Sequence, residues 1–202
     1  ITNASLEQKN VFTYTLIAFI QALKAQLREQ PYTDSNPALL REKNRTRILK
    51  AQFKPALILQ DLGQQLQLLI QEQRVDTISS SRIDYHLSNL TESLGGCERI
   101  ASTPIPFTYS VILHRTVYLY CLLLPFGLIG NLGWGTPLIT VFIAYTFLAL
   151  EALADELQDP FGTEPNDLAL DAMSNMIEIT LREMLDEDAL PTATTPINFI
   201  LS

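Results

Sequence analysis

The sequence predicts an all-α chain, a helical membrane protein in which a transmembrane hairpin accompanies a larger helical region. Three observations predict it. No Asp, Glu, Lys, Arg or His occurs in the 35 residues from Thr116 to Leu150. Outside that stretch, apolar residues recur every three or four positions, the period of an amphipathic helix. Within it, GNLGWGTP divides two apolar runs, at 107–129 and 137–153, and sets Trp134 in the joint. A helix of about 20 residues crosses a hydrocarbon core, and an indole at its end suits the membrane interface.

The elements follow in order. Ser5 is a candidate N-cap for a first helix over 5–30, which Pro31 ends. Its charge-free middle, from Asn10 to Leu23, is short for a membrane span and fits a buried helix. PYTDSNP (31–37) is a break. A second helix is expected over 38–53, with Pro55 kinking it or opening a third. Residues 55–74 set leucine and isoleucine at helical spacing among glutamines, an ordinary helix with a hydrated face. RVDTISSSR (74–82) is expected to interrupt the helices. From Arg82, Ile83, Leu87, Leu90, Leu94, Cys97 and Ile100 form one stripe, and Gly95-Gly96 weakens its end. ASTPIP (101–106) breaks the chain again before the apolar hairpin. A final amphipathic helix is expected over 166–187, capped by Asn166 or Asp167, and PTATTPINFILS reads as flexible or ordered only against a partner.

Composition limits the function. Of 202 residues 47% are hydrophobic, enough for a sizeable core. A net charge of −8 without a basic patch argues against nucleic acid, since Arg41, Lys43, Arg45, Arg47 and Lys50 are spread as on an exposed helix face. Cys97 and Cys121 form no CxxC pair and fit a reducing compartment, and His86 and His114 lie too far apart for a helical metal pair. No nucleophile motif, phosphate loop, dinucleotide fingerprint or HExxH is present, so an enzyme is not expected. The start at Ile1 reads as that of a piece of a longer protein.

Two features carry candidate chemistry. His114-Arg115 interrupts an apolar run near one end of the hairpin, and Glu151 and Asp155 stand at the corresponding end of the other arm. The pair reads as a membrane-boundary marker, in agreement with the positive-inside rule. The acidic stretch Asp155, Glu156, Asp159, Glu164, Asp167, Asp171 is either an oxygen-rich loop for a hard cation or a solvated turn capping the next helix.

Three stretches together resemble the bestrophin family of ion channels, in its bacterial branch. IPFTYSVILHRTVYLY (105–120) is similar to that family's Ile-Pro-aromatic entry into a membrane helix. The paired apolar hairpin follows it. DPFGTEPNDLALD (159–171) is similar to the family's Asn-Pro-Phe-Gly segment with its acidic run. The resemblance implies a bestrophin-like homopentamer around one ion pore in a bacterial inner membrane. Its regions would be a cytosolic helical part at 1–100, a transmembrane hairpin at 101–155, and a cytosolic acidic loop, helix and tail at 156–202. The family's earlier membrane helices and hydrophobic neck do not appear in this chain.

The resemblance also implies a cytosolic aperture, an aliphatic ring 27 residues before the Ile-Pro entry, which falls on Ile78. Permeating monovalent ions, chloride in the family with cation passage left open, and the lipid bilayer are the implied partners. No cofactor is required. The divalent-cation loop implied at Asp159, Glu164 and Asp167 departs from the family's calcium clasp, because Thr163 and Pro165 replace acidic residues and Asp159 replaces Asn. Only weak divalent binding is expected there. The alternative reading is a soluble or peripheral all-helical scaffold whose hairpin docks on another protein.

Overall fold

The computed structural model describes residues 3–32, 39–103 and 106–196. Seven α-helices are formed among them, arranged in two compact units: residues 1–101 with 168–202, and residues 102–167. Thus the acidic loop groups with the hairpin, and the final helix with the N-terminal region.

The first unit is built around α1 (Leu6–Leu27). Ser5 and Gln8 form a reciprocal capping box that starts it, each side chain accepting the other's backbone N–H. The helix packs against α3 (Lys54–Gln71) and α7 (Leu170–Glu183), while α2 (Glu42–Lys50) lies on α3. Pro55 opens α3 rather than kinking its predecessor. Phe19, Ile17, Leu39, Ile48, Ile58 and Leu62 are fully buried between them. α4 (Thr77–Ser102) adds Leu94 to this core, with Ile83, Leu87 and Leu90 packed against it. Four of the six stripe residues therefore face the core, whereas Ile100 is exposed.

Several boundaries differ from the sequence reading. α4 begins at Thr77, not Arg82, because the Asp76 carboxylate accepts the N–H groups of Ile78 (3.0 Å) and Ser79 (2.9 Å) and caps the helix. α7 begins at Leu170, not at 166, because Asn166 bonds back to Glu156 and Asp167 to the Glu164 N–H within the loop, so neither caps the helix. The second helix is also shorter than 38–53, and Ala38 lies outside the described residues. The tail is held at its start: the Asn175 amide donates to the Thr192 carbonyl at 2.7 Å and to Thr194 Oγ1 at 3.0 Å. The rest of the tail, 197–202, and most of PYTDSNP lie outside the described residues.

Polar side chains pin the helices in place. Buried Asp61 on α3 receives hydrogen bonds from Asn44 and, at 2.9 Å, from Gln65, and Arg41 lies 3.5 Å away. Gln65 also donates to Thr15 of α1 at 3.0 Å, so Asp61 and Gln65 together link three helices. A buried charge must be answered by such partners or it costs several kcal/mol. At the other end of α1, Lys24 and Arg28 both pair with Asp171, in the first turn of α7, with Lys24 at 2.8 Å. Burial raises the Asp171 carboxyl's pKa, but hydrogen bonds and charge from Lys24 and Arg28 outweigh it and hold it below the usual range.

The second unit is a helical hairpin. α5 (Phe107–Leu132) has 26 residues and α6 (Thr136–Glu156) has 21. At the usual rise these are about 39 and 32 Å long, enough for a bilayer core of about 30 Å. Gly133–Gly135 form one 3-10 turn between them, and Gly133 adopts φ 49°, a left-handed conformation that a side chain would strain. Pro125 sits inside α5 without ending it. The large apolar side chains point outward: Phe107, Phe126, Phe142 and Tyr145 are exposed, and Trp134 at the turn is fully so. The expected Ile-Pro entry begins outside the described residues, at Pro104 and Ile105.

Because the folded Asp171 pKa is lowered, its contribution is present above the unfolded value of about 4 and fades as pH falls through the folded value. Asp171→Asn is expected to lower the melting midpoint at pH 7 by about 1–4 °C, a figure discounted for its exposure. That gap closes below about pH 4. A gap unchanged at pH 3, read by circular dichroism, would contradict the assignment.

Candidate functional site

Ile78 stands in the first turn of α4. Its side chain is 71% exposed, whereas the stripe that begins at Ile83 faces inward. The Asp76 cap makes the local geometry firm: hydrogen bonds from the Ser79 side chain, then its backbone N–H, and from the Ile78 N–H hold the carboxylate below its usual range. Ser80 Oγ donates to the Thr77 carbonyl at 2.9 Å. Thus the serine-rich stretch expected to be a break is the start of a helix that presents one large apolar side chain to its surroundings.

His114 and Glu151 meet across the hairpin. Glu151 is 6% exposed, and its Oε1 forms an ion pair with His114 Nδ1 when the imidazole is protonated. His114 Nε2 lies 3.8 Å from Asp155 Oδ2, one turn along α6. The Tyr118 ring stacks on the imidazole, with centroids 6.5 Å apart. Farther along, Tyr120 and Phe147 make an edge-to-face contact at 5.5 Å. Arg115 is exposed. The hairpin is therefore clasped by polar contacts at its charged end and by rings along its apolar length.

The loop after α6 folds on itself. Asn166 Nδ2 donates to Glu156 Oε1 at 2.8 Å, and Asp167 Oδ2 accepts the Glu164 N–H at 2.6 Å. Phe161 of the Pro-Phe-Gly segment is buried. Gly162 is closely approached: a Cβ there would lie 2.5 Å from Asp167 Oδ2 and 3.8 Å from Asp159 Oδ2, so the Asp167 carboxylate would have to move. Asp159 and Asp167 are thus brought together around Gly162, whereas the Glu164 side chain is exposed. Calcium takes six to eight oxygens. Two neighbouring carboxylates, one already accepting a backbone N–H, do not make that shell. Among the described residues no group of three or more His, Cys, Asp or Glu is placed to hold a metal ion.

Sequence reasoning missed Asp76 as a cap and Gly162 as a clearance for Asp167. An Asp before a run of serines is an N-cap signal that was available. The Gly162 requirement depends on a loop closure that spacing does not report.

The architecture defines a class: an all-helical protein pairing a cored helical unit with an apolar, outward-facing hairpin. A family model described as "Bacterial/Fungal Bestrophin protein" matches residues 2–183, and the chain belongs to that family. It is 43% identical over 185 residues to the voltage-dependent anion channel-forming protein YneE of Escherichia coli (strain K12), a match covering 92% of this chain and 61% of that protein. A voltage-dependent anion channel-forming protein of Ralstonia nicotianae is 42% identical over 190 residues, covering 94% of this chain and 62% of its own length. The chain therefore spans less than two thirds of these relatives. The crystal structure of a bacterial Bestrophin homolog from Klebsiella pneumoniae superposes with a TM-score of 0.83 at 43% identity, covering 92% of this chain and 69% of that one. The relatives' names describe channel formation and not catalysis, as the lack of an enzymatic motif led one to expect.

The Gly162 contact yields a test. Gly162→Ala is expected to cost about 1–3 kcal/mol, since moving the Asp167 carboxylate breaks its bond to the Glu164 N–H. In a background of Asp167→Ala the same substitution should cost little. Additive losses in thermal unfolding would contradict the contact.

Proposed function

We propose that this chain is part of the subunit of a bestrophin-type channel in a bacterial inner membrane, assembling as a homopentamer and passing small monovalent ions passively. The hairpin carries the reading. Across 107–156 its large apolar side chains face outward, although the other unit of the same chain buries its own core. An apolar surface of that extent is unfavourable in water and favourable in hydrocarbon. The names of the relatives, all channel-forming, support an ion as the cargo and an anion such as chloride as the favoured one. They leave the soluble scaffold without a supporting observation.

In this reading His114 and Arg115 mark the cytosolic boundary of the hairpin, with Trp134 at the opposite face. Five copies of Ile78 around the axis form a narrow, weakly wetted aperture that can gate by dewetting. No cofactor is required. The loop carrying Asp159, Glu164 and Asp167 binds divalent cations weakly at most, and submicromolar calcium binding by calorimetry would count against this.

Reversal potential in asymmetric potassium chloride, measured on the full-length protein in planar bilayers, tests the proposal. Current reversing near the chloride potential is expected, and Ile78→Ala should raise single-channel conductance or alter ion preference. A protein that passes no ions refutes the channel. Reversal near the potassium potential keeps the channel and refutes the anion. Unchanged permeation in Ile78→Ala refutes the aperture.

A further inference from the structure

We infer that Arg82 supplies the charge discrimination at the pore mouth, a step that rests on the aperture reading of Ile78. A ring of isoleucines selects by size and wetting but carries no charge. A charged neighbour on the same face can supply what the ring lacks. Four residues on, a helix places Arg82 about 40° around and about 6 Å along the axis from Ile78. Both side chains are exposed. Among the described residues Arg82 makes no ion pair, so no carboxylate holds its guanidinium.

The other charges nearby are placed differently. Asp76 caps α4 and keeps its negative charge, but it lies on the other side of Ile78 along the axis, so a positive potential is set only on the Arg82 side. Asp84 falls about 120° around the helix from Ile78. Glu92 shares the exposed face, but it stands about 15 Å beyond Arg82 along the helix, farther than a Debye length of about 8 Å. Ser79, Ser80 and Ser81 add no charge. Five guanidinium groups one turn from the isoleucine ring would set a positive potential where the passage is narrow, and constricted geometry concentrates such a field. Arg82 thus admits anions and opposes cations, whichever the whole pore finally prefers.

The experiment compares reversal potentials of full-length wild type, Arg82→Gln, Arg82→Glu, Arg82→Lys, Arg74→Gln and Ile78→Ala in bilayers with asymmetric salt. Arg82 is exposed, so size-exclusion profiles should match wild type. Arg82→Gln is expected to lower the anion-to-cation permeability ratio at least about threefold, and Arg82→Glu further still. Arg82→Lys should preserve it, and Arg74→Gln, which removes the same charge from the preceding loop, should leave it within about 1.5-fold. An Arg82→Glu ratio equal to wild type, with conductance changed in Ile78→Ala, overturns the role of Arg82 and leaves the aperture standing. Indifference to both overturns the aperture and this inference with it. An equal shift in Arg74→Gln reduces the effect to general surface charge and also overturns it.

Discussion

The absence of any charged side chain between Thr116 and Leu150 is the constraint on which the rest depends. So long an apolar stretch can form stable backbone structure away from water only by satisfying every N–H and C=O internally, and two helices joined by a tight turn do so. The turn needs Gly133 in its left-handed conformation. Beyond the charge-free stretch, polarity returns at His114 on one arm and at Glu151 and Asp155 on the other, and these meet. A buried carboxylate such as Glu151 is expensive without a partner, so this meeting fixes which residues of the two arms lie level.

The first unit solves a different problem. It has the alternating surface and core of an ordinary helical domain, and its helices are registered by buried polar contacts in addition to apolar packing. Asp61 gathers donors from α2 and α3, and Asp171 gathers two from the C-terminal end of α1. Asp76 acts locally, starting α4 a turn earlier than its inward stripe requires. That additional turn carries Ile78 outward, and hence places Arg82 one turn behind it on the same face. The exposed pair Ile78 and Arg82 on the first turns of α4 therefore depends on a single capping carboxylate.

Much of this was legible in the sequence. The hairpin arms, the Trp134 turn, the Ser5 cap and the inward face of α4 follow from periodicity and from charges that are simply missing. The misplaced starts of α4 and α7 share one cause. Asp76, Asn166 and Asp167 are polar residues whose side chains can serve either a helix end or a loop, and sequence position alone does not say which. The serines after Asp76 look like a break, yet they sit comfortably in the first turn of a capped helix. Asn166 and Asp167 look like caps, yet Glu156 and the Glu164 N–H compete for them successfully. The Gly162 clearance was not legible, because it is a contact closed across a loop.

The most direct test of the account is sidedness of the hairpin in intact bacterial cells. A membrane-impermeant maleimide would be applied to full-length protein with Cys97 and Cys121 replaced by serine. Single cysteines would stand at the exposed positions Trp134 and Phe53. The cysteine at 134 is expected to be labelled from outside the inner membrane, and the one at 53 only after permeabilisation. Labelling of both only after permeabilisation would contradict a hairpin that crosses the membrane.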